Sequence, residues 1–194
     1  MTKERVDAGF LASLKVHESL ALDGALHVAV AALGERCVQS LKAGGKIIFA
    51  GNGGSFADSQ HLAAELISRL QYDRAPLPSI ALGTNSSSMS AIGNDYGYEY
   101  VFSREIAVLG NPGDVFIPIT TSGNSPNILG AVAVAKDVGL YVCGLTGDTG
   151  GKLATVTDCI RVPSRRTERI QEGHILIGHV LCAIIEDDYF GRSL

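Results

Sequence analysis

Hydrophobic residues recur every three or four positions over the first forty residues and then give way to short, continuous apolar runs. This spacing predicts two amphipathic helices over residues 3–43, and the Asp23-Gly24 pair predicts a turn between them. We expect this helical hairpin to bury its apolar stripe against the sheet layer or against another subunit. The stripe consists of Phe10, Leu11, Leu14, His17, Leu20, Leu26, Val30, Leu33, Cys37 and Leu41.

Five short β-rich runs alternate with helical stretches after Gly44-Gly45. Strands are predicted over residues 46–50, 79–82, 115–119, 141–145 and 159–162, and helices over residues 56–70, 128–138 and 167–189, among others. Because the strands are apolar throughout, they are expected to be buried on both faces. The pattern therefore predicts an α/β protein with a doubly wound, parallel, five-stranded sheet of the flavodoxin-like kind. We expect one domain over residues 1–194, with the hairpin at 1–43 and the α/β body at 44–194.

Composition narrows the class of protein. The chain has 194 residues, 46% of them hydrophobic and 19% charged, with a net charge of -4. These values exclude a disordered chain, and the mild acidity gives no electrostatic signature for nucleic acid or for an anionic membrane. The N-terminus carries charges where an export signal needs apolar residues, so a cytoplasmic location is expected. Four scattered cysteines without CxxC spacing indicate buried thiols rather than disulfides or a zinc knuckle.

Two loops rich in glycine and hydroxyl groups follow predicted strands and precede predicted helices. The first is Gly51-Asn52-Gly53-Gly54-Ser55, and the second runs from Thr120 to Pro126. Such loops offer backbone N–H groups and hydroxyls to a phosphate, although each alone could be an ordinary tight turn. Ser55 is a candidate helix cap or phosphate donor, and Ser125 is the expected N-cap before Pro126. The first loop matches neither the dinucleotide-binding fingerprint nor the P-loop.

Titratable residues with helical spacing form a second group of candidates. His61 and Glu65 are four residues apart, which places them on one face of a helix and suits a metal chelate, an acid/base pair or a plain surface contact. The last helix adds Gln171, Glu172, His174 and His179, although the apolar neighbours of His179 also fit a core histidine. Gln171 and His179 are separated by about 12 Å along a straight helix. Either the helix begins between them, or a site that uses both lies at a subunit boundary.

Six motifs together resemble the sugar isomerase (SIS) domain, and within it the bacterial phosphoheptose isomerases. In order along the chain they are AGNGGS, QHLAAE, IGNDYGYEYVFSR, TTSGNSPN, GDTGGK and RIQEGHILIGHVL. The resemblance runs from about Gly44 to Glu186, and the helical hairpin also fits that family. Two positions depart from the family pattern: Thr120 stands where Ser is common, and Glu168 stands where some members have Asp.

The resemblance implies conversion of D-sedoheptulose 7-phosphate into D-glycero-D-manno-heptose 7-phosphate, a step toward lipopolysaccharide and other surface heptoses. It implies a homotetramer with one Zn²⁺ per subunit, held by His61, Glu65, Gln171 and His179. Glu65 and His179 would be the catalytic proton-transfer pair. The implied substrate-binding residues are Asn52, Gly53, Gly54, Ser55, Glu65, Asn94, Asp95, Thr120, Thr121, Ser122, Ser125 and Gln171.

A non-catalytic branch of the same superfamily, which binds the bacterial replication initiator, provides an alternative. That branch resembles the isomerases in fold but lacks the acid/base pair. Because Glu65, Gln171 and His179 are all present here, the sequence favours an enzyme that acts on a sugar phosphate, with neither nucleic acid nor membrane as a partner.

Overall fold

Two helices joined at a single residue form the N-terminal hairpin of the computed structural model, which describes residues 1–192. The last two residues of the predicted α/β body, 193–194, lie outside the described residues. Helix α1 (Thr2–Leu22) and helix α2 (Gly24–Lys42) meet at 71°. Asp23 lies between them, and its Oδ1 accepts a hydrogen bond from the Leu26 amide at 3.0 Å, which caps α2. The predicted turn is therefore confirmed.

The two hairpin helices differ in what they bury. On α2, Leu33, Cys37 and Leu41 are buried in the core of this same chain. On α1, Phe10 and Leu14 are 75% and 62% exposed. The predicted stripe thus divides into a part that packs within the chain and a part that finds no partner within residues 1–192.

Five parallel strands form the sheet, as predicted. They are β1 (Ile47–Gly51), β2 (Ser79–Ala81), β3 (Val115–Ile119), β4 (Tyr141–Gly147) and β5 (Asp158–Val162), in the order β2-β1-β3-β4-β5. β1 and β3 are buried along their whole length, as strands covered on both faces must be.

Helices cover both faces of the sheet and divide the core into two clusters. They are α3 (Gly54–Ile67), α4 (Ser86–Asp95), α5 (Val101–Leu109), α6 (Pro126–Val138) and α7 (Thr167–Phe190), with 3₁₀ turns at Tyr98–Tyr100 and Leu153–Thr155. Buried residues of α1, α2, α3 and α7 form one cluster, and those of α5 and α6 lie in the other. This arrangement is the doubly wound architecture that the sequence predicts. Within residues 1–192, no single helix has the length and apolar composition to cross a membrane, although α1 and α2 taken together as a bent pair meet both criteria.

Helix α7 lies between α2 and α3 and contacts both closely through glycines. A Cβ added to Gly34 of α2 would meet Ile184 at 2.9 Å, and one added to Gly178 of α7 would meet Leu62 of α3 at 2.6 Å. α7 is continuous from Thr167 to Phe190. The helix therefore does not begin between Gln171 and His179, which removes the first of the two alternatives raised by their spacing.

Candidate active site

The candidate crevice lies where β1 and β3 end side by side. Gly51, the last residue of β1, is paired in register with Ile119, the last residue of β3. The two loops that follow therefore leave the sheet next to each other and lead into α3 and α6. β1 is also the point at which the strand order reverses, and ligands of open α/β sheets bind at such a point.

A reciprocal amide pair joins the two loops. Asn52 Nδ2 donates to Asn127 Oδ1, and Asn127 Nδ2 donates to Asn52 Oδ1, both at 2.9 Å. The Tyr98 hydroxyl donates to Asn52 Oδ1 at 3.1 Å. Together with Glu99, Ser125 and Pro126, these residues line a cavity of about 530 Å³. The pair fixes the first loop against the start of α6.

Hydroxyl groups are concentrated in the loop after β3. Thr120 Oγ1 and Ser125 Oγ lie 3.1 Å apart, and Ser122 Oγ accepts from the Asn124 amide at 3.1 Å. Ser125 occupies the N-cap position of α6 with Pro126 after it, as predicted, but its hydroxyl is directed to Thr120 rather than to the helix. The Thr121 carbonyl accepts from the Gly147 amide at 3.1 Å, which ties the loop to the end of β4. Gly123 has φ +67 and lies against the Gly150 carbonyl, so a side chain would not fit there.

The first loop differs from the prediction at its cap. Gly53, at φ +55, is the N-cap of α3, and Ser55 lies inside the first turn, where it is buried. The positive φ is unfavourable for residues with a Cβ, which is why glycine takes the capping position. Ser55 does not cap α3, and the loop presents the N-terminus of a helix to the crevice.

His61, Glu65 and His179 come together further along α3 and α7. His61 Nε2 lies 3.1 Å from Glu65 Oε1 and 2.9 Å from His179 Nε2. Ligand atoms of all three lie within 4.8 Å of one another. The shared face predicted for His61 and Glu65 is therefore confirmed. His179, for which a core position was the alternative, is only half-buried and faces this cluster.

Gln171 lies outside the cluster formed by His61, Glu65 and His179. Its side-chain amide packs against Gly54, at the start of α3. Gly54 precedes His61 by seven residues, which is about 10 Å along a helix. Within this chain, Gln171 therefore lies at the N-terminal end of α3, beside the first Gly-rich loop, and the other three predicted metal ligands lie two turns away.

Asn94 and Asp95 line a different surface cavity from Asn52. They are exposed at the end of α4, where Asn94 Nδ2 donates to Asp95 Oδ1 at 2.7 Å. The surface cavity that they line is formed with Ser86, Ser87, Ser90 and Ala91 and shares no residue with the cavity at Asn52.

Several residues of the site were not selected from the sequence. Asn127 and Tyr98 complete the Asn52 network, and they lie within the motifs TTSGNSPN and IGNDYGYEYVFSR. Asp58 lies one turn before His61; burial raises the pKa of its carboxyl group, and the His61 charge opposes that shift. Helical spacing to His61 could have found Asp58, whereas the contacts of Tyr98 depend on tertiary structure.

Comparisons with known proteins show the family to which the chain belongs. A family model described as the SIS domain matches residues 17–147, which include both loops and the His61–Glu65 pair. Fold and crevice thus define a SIS-domain protein. A phosphoheptose isomerase of Rhodospirillum rubrum is 56% identical over 149 residues, covering 76% of this chain and 79% of that protein. The chain belongs to the phosphoheptose isomerase family.

Solved structures support the same family. A phosphoheptose isomerase from Francisella tularensis superimposes with a TM-score of 0.91 at 38% identity, covering 96% of this chain and 99% of that one. A phosphoheptose isomerase from Neisseria gonorrhoeae gives a TM-score of 0.87 at 41% identity, covering 96% and 100%.

Proposed function

We propose that the chain interconverts D-sedoheptulose 7-phosphate and D-glycero-D-manno-heptose 7-phosphate by aldose–ketose isomerisation. The observation that carries this proposal is the His61–Glu65–His179 cluster, held at 3.1 and 2.9 Å. His61 lies two helical turns beyond the Gly-rich loop on α3, and His179 reaches the cluster from α7. A phosphate at the start of α3 would leave room for an extended sugar chain before the proton-transfer groups. Membership of the phosphoheptose isomerase family supports the same reaction.

The proposed mechanism uses Glu65 as the base. Its carboxylate takes a proton from C1 of the ketose to give an enediol, and the same proton is delivered to C2 of the aldose. His179 transfers a proton between the two oxygens, from O1 to O2, so that the C1 carbonyl forms as the C2 carbonyl is lost. The Ser and Thr hydroxyls of the β3 loop and the N-termini of α3 and α6 hold the phosphate.

Two imidazole nitrogens and a carboxylate fit the donor set of a catalytic zinc site, and we propose His61, Glu65 and His179 as its ligands. Zinc bound there supplies Lewis acidity toward the sugar oxygens. Gln171 joins this set only if its side chain leaves Gly54 or a second subunit contributes it.

The remaining proposals concern assembly and cellular role. We propose a cytoplasmic homotetramer that supplies heptose for lipopolysaccharide or other surface glycans. The position of Gln171 against Gly54, about two turns of α3 from the proton-transfer cluster, supports sites completed by a neighbouring subunit, as do the exposed apolar side chains of α1. The family relationship supports the pathway.

Turnover of defined sugar phosphates tests the function. The purified protein is incubated with sedoheptulose 7-phosphate, fructose 6-phosphate or ribulose 5-phosphate, and aldose formation is followed by NMR. We expect heptose formation from the first substrate. Failure to convert any of the three would contradict the proposal and favour the initiator-binding alternative.

Substitutions in the cluster test the assigned roles. Glu65→Gln and His179→Ala should each lower kcat by at least about 100-fold, because each removes one partner in proton transfer. Glu35→Gln makes the same isosteric change at an exposed position of α2 and should keep wild-type turnover. Near wild-type kcat in a folded Glu65→Gln or His179→Ala variant would refute that residue's role.

A further inference from the structure

A buried ion pair joins the end of α3 to α7, close to the proposed base. Arg74, in the loop between α3 and β2, donates through Nε to Glu186 Oε1 at 2.7 Å, and the two side chains are 2% and 0% exposed. The Arg74 guanidinium also lies 5.9 Å from the ring centroid of Phe190. Removing two charges from water is costly, and an apolar pair of similar volume is often as stable. Stability alone therefore does not account for this pair.

The remaining donors of Arg74 hold the last turn of α3. Nη2 donates to the Glu65 carbonyl at 2.8 Å, and Nη1 donates to the carbonyls of Leu66 and Ser68 at 2.7 and 3.0 Å. A helix end leaves such carbonyls without partners, and a cation there is favoured by the helix dipole. Arg74 thus fixes the backbone of Glu65 directly.

Glu186 holds the chain segment that follows α3. Its two carboxylate oxygens accept from the amides of Leu70 and Gln71 at 3.2 and 2.9 Å. Glu186 follows His179 by seven residues, so both project from one face of α7 toward α3. Glu65 is thus linked to Glu186 through Arg74, and to His179 through His61, while Glu186 and His179 are joined by two turns of α7.

We infer that Arg74 is a positioning residue, which sets the place of the Glu65 carboxylate relative to His179 by holding the last turn of α3 against Glu186. This inference rests on the proposed function. The planar guanidinium of Arg74 reaches the Glu186 carboxylate and four backbone carbonyls at once, those of Glu65, Leu66, Ser68 and Ala75. A lysine ammonium offers three donors and no fork. Replacing Arg74 by lysine keeps the positive charge but removes the planar fork of donors. The change should therefore alter the position of Glu65 more than it lowers the stability of the fold.

Arg74→Lys tests the inference. We expect kcat for sedoheptulose 7-phosphate to fall about 10- to 100-fold, the range for a small misplacement of a reacting group, while KM changes less than about threefold. KM should change little because the loops proposed to bind the phosphate lie near the N-terminal end of α3, whereas Arg74 contacts its C-terminal end. Amide hydrogen exchange over residues 62–69 should become faster. Glu186→Gln, which keeps an acceptor oxygen, should show the same split to a smaller degree.

Lys46→Met provides the matched control. Lys46 pairs with buried Asp114 at 2.6 Å, just before β1 and β3, at the edge of the sheet opposite the crevice. Breaking this pair should lower Tm and leave kcat and the exchange of residues 62–69 unchanged.

Arg74→Lys with wild-type kcat, a fall in kcat only in proportion to unfolded protein, or unchanged exchange at residues 62–69 would each overturn the inference. If the wild-type protein has no turnover, the proposed function fails, and the exchange measurement alone decides the role of Arg74.

Discussion

His174 is fully buried on α7, one turn after Gln171, and lies outside the proposed proton-transfer cluster. Within residues 1–192, neither of its ring nitrogens makes a hydrogen bond of ordinary geometry. Burial lowers the pKa of the imidazole to about 4, although the nearby Thr146 backbone favours the charged form. The folded protein therefore holds this ring neutral.

Acid should destabilise the protein through His174. An unfolded chain binds the proton below a pH of about 6.5, whereas the folded chain binds it only near pH 4, so stability falls as pH falls through this window. The full effect is at most about 3 kcal/mol. Urea unfolding at pH 7 and pH 5 should show a larger loss for the wild type than for His174→Gln. Equal losses would show that the ring does not titrate in this way.

Local residue patterns could be predicted from the sequence where helix geometry determines them. His61 and Glu65 lie on one face because their spacing is a single helical turn. The choice between His174 and His179 as the core histidine could not be made, because it depends on how α7 is rotated against α3 and the sheet. The rotation places His174 in the core and His179 beside His61.

At the scale of secondary-structure elements, glycines determine how closely the helices pack. Leu62 is buried beneath Gly178, and its methyl groups would meet an added Cβ at 2.6 Å. The alternation of apolar strands and helices predicts the parallel sheet, but the distance between α3 and α7 is a tertiary feature that no local period encodes. Gly34 and Gly178 could be identified as packing positions only after the helices were placed.

Alanine substitutions at two glycines should have opposite effects. Gly178→Ala should reduce the free energy of unfolding by about 1–3 kcal/mol, because it overpacks the junction of α3 and α7. Gly9→Ala should increase it by about 0.5–1 kcal/mol, because nothing lies within 4 Å of the added Cβ and alanine favours the helix. Denaturant unfolding measures both. A stabilising Gly178→Ala would mean that the helices separate without cost.

The whole molecule presents an apolar surface centred on the hairpin. Val6, Phe10, Leu11 and Leu14 of α1 are exposed. A groove of about 330 Å³ lies between the C-terminal end of α1, α2 and α7. Its lining includes Leu20, Leu26, Val30, Leu176, Val180 and Ile184. Large apolar patches on a single chain mark interaction surfaces, and a second copy related by closed symmetry is the simplest partner.

A substitution on this surface must leave the core of the single chain intact. Leu33 also belongs to the hairpin stripe, but it is 1% exposed and lies in the main core cluster, so Leu33→Glu would unfold the chain rather than test assembly. Leu14, at 62% exposed, is suitable. Ser19→Glu places the same charge on α1 about 140° around the helix from Leu14 and provides the control.

If α1 forms the proposed interface between subunits, Leu14→Glu should dissociate the oligomer while the chain remains folded, since the buried charge would find no partner there. If neighbouring subunits complete each active site, turnover should fall in step with the loss of oligomer, and Ser19→Glu should retain both. Sedimentation velocity and isomerase assays at matched protein concentrations measure the two quantities together. A folded Leu14→Glu monomer with full activity would show that each chain carries a complete site, and the roles assigned to Glu65 and the phosphate loops would then hold within one subunit.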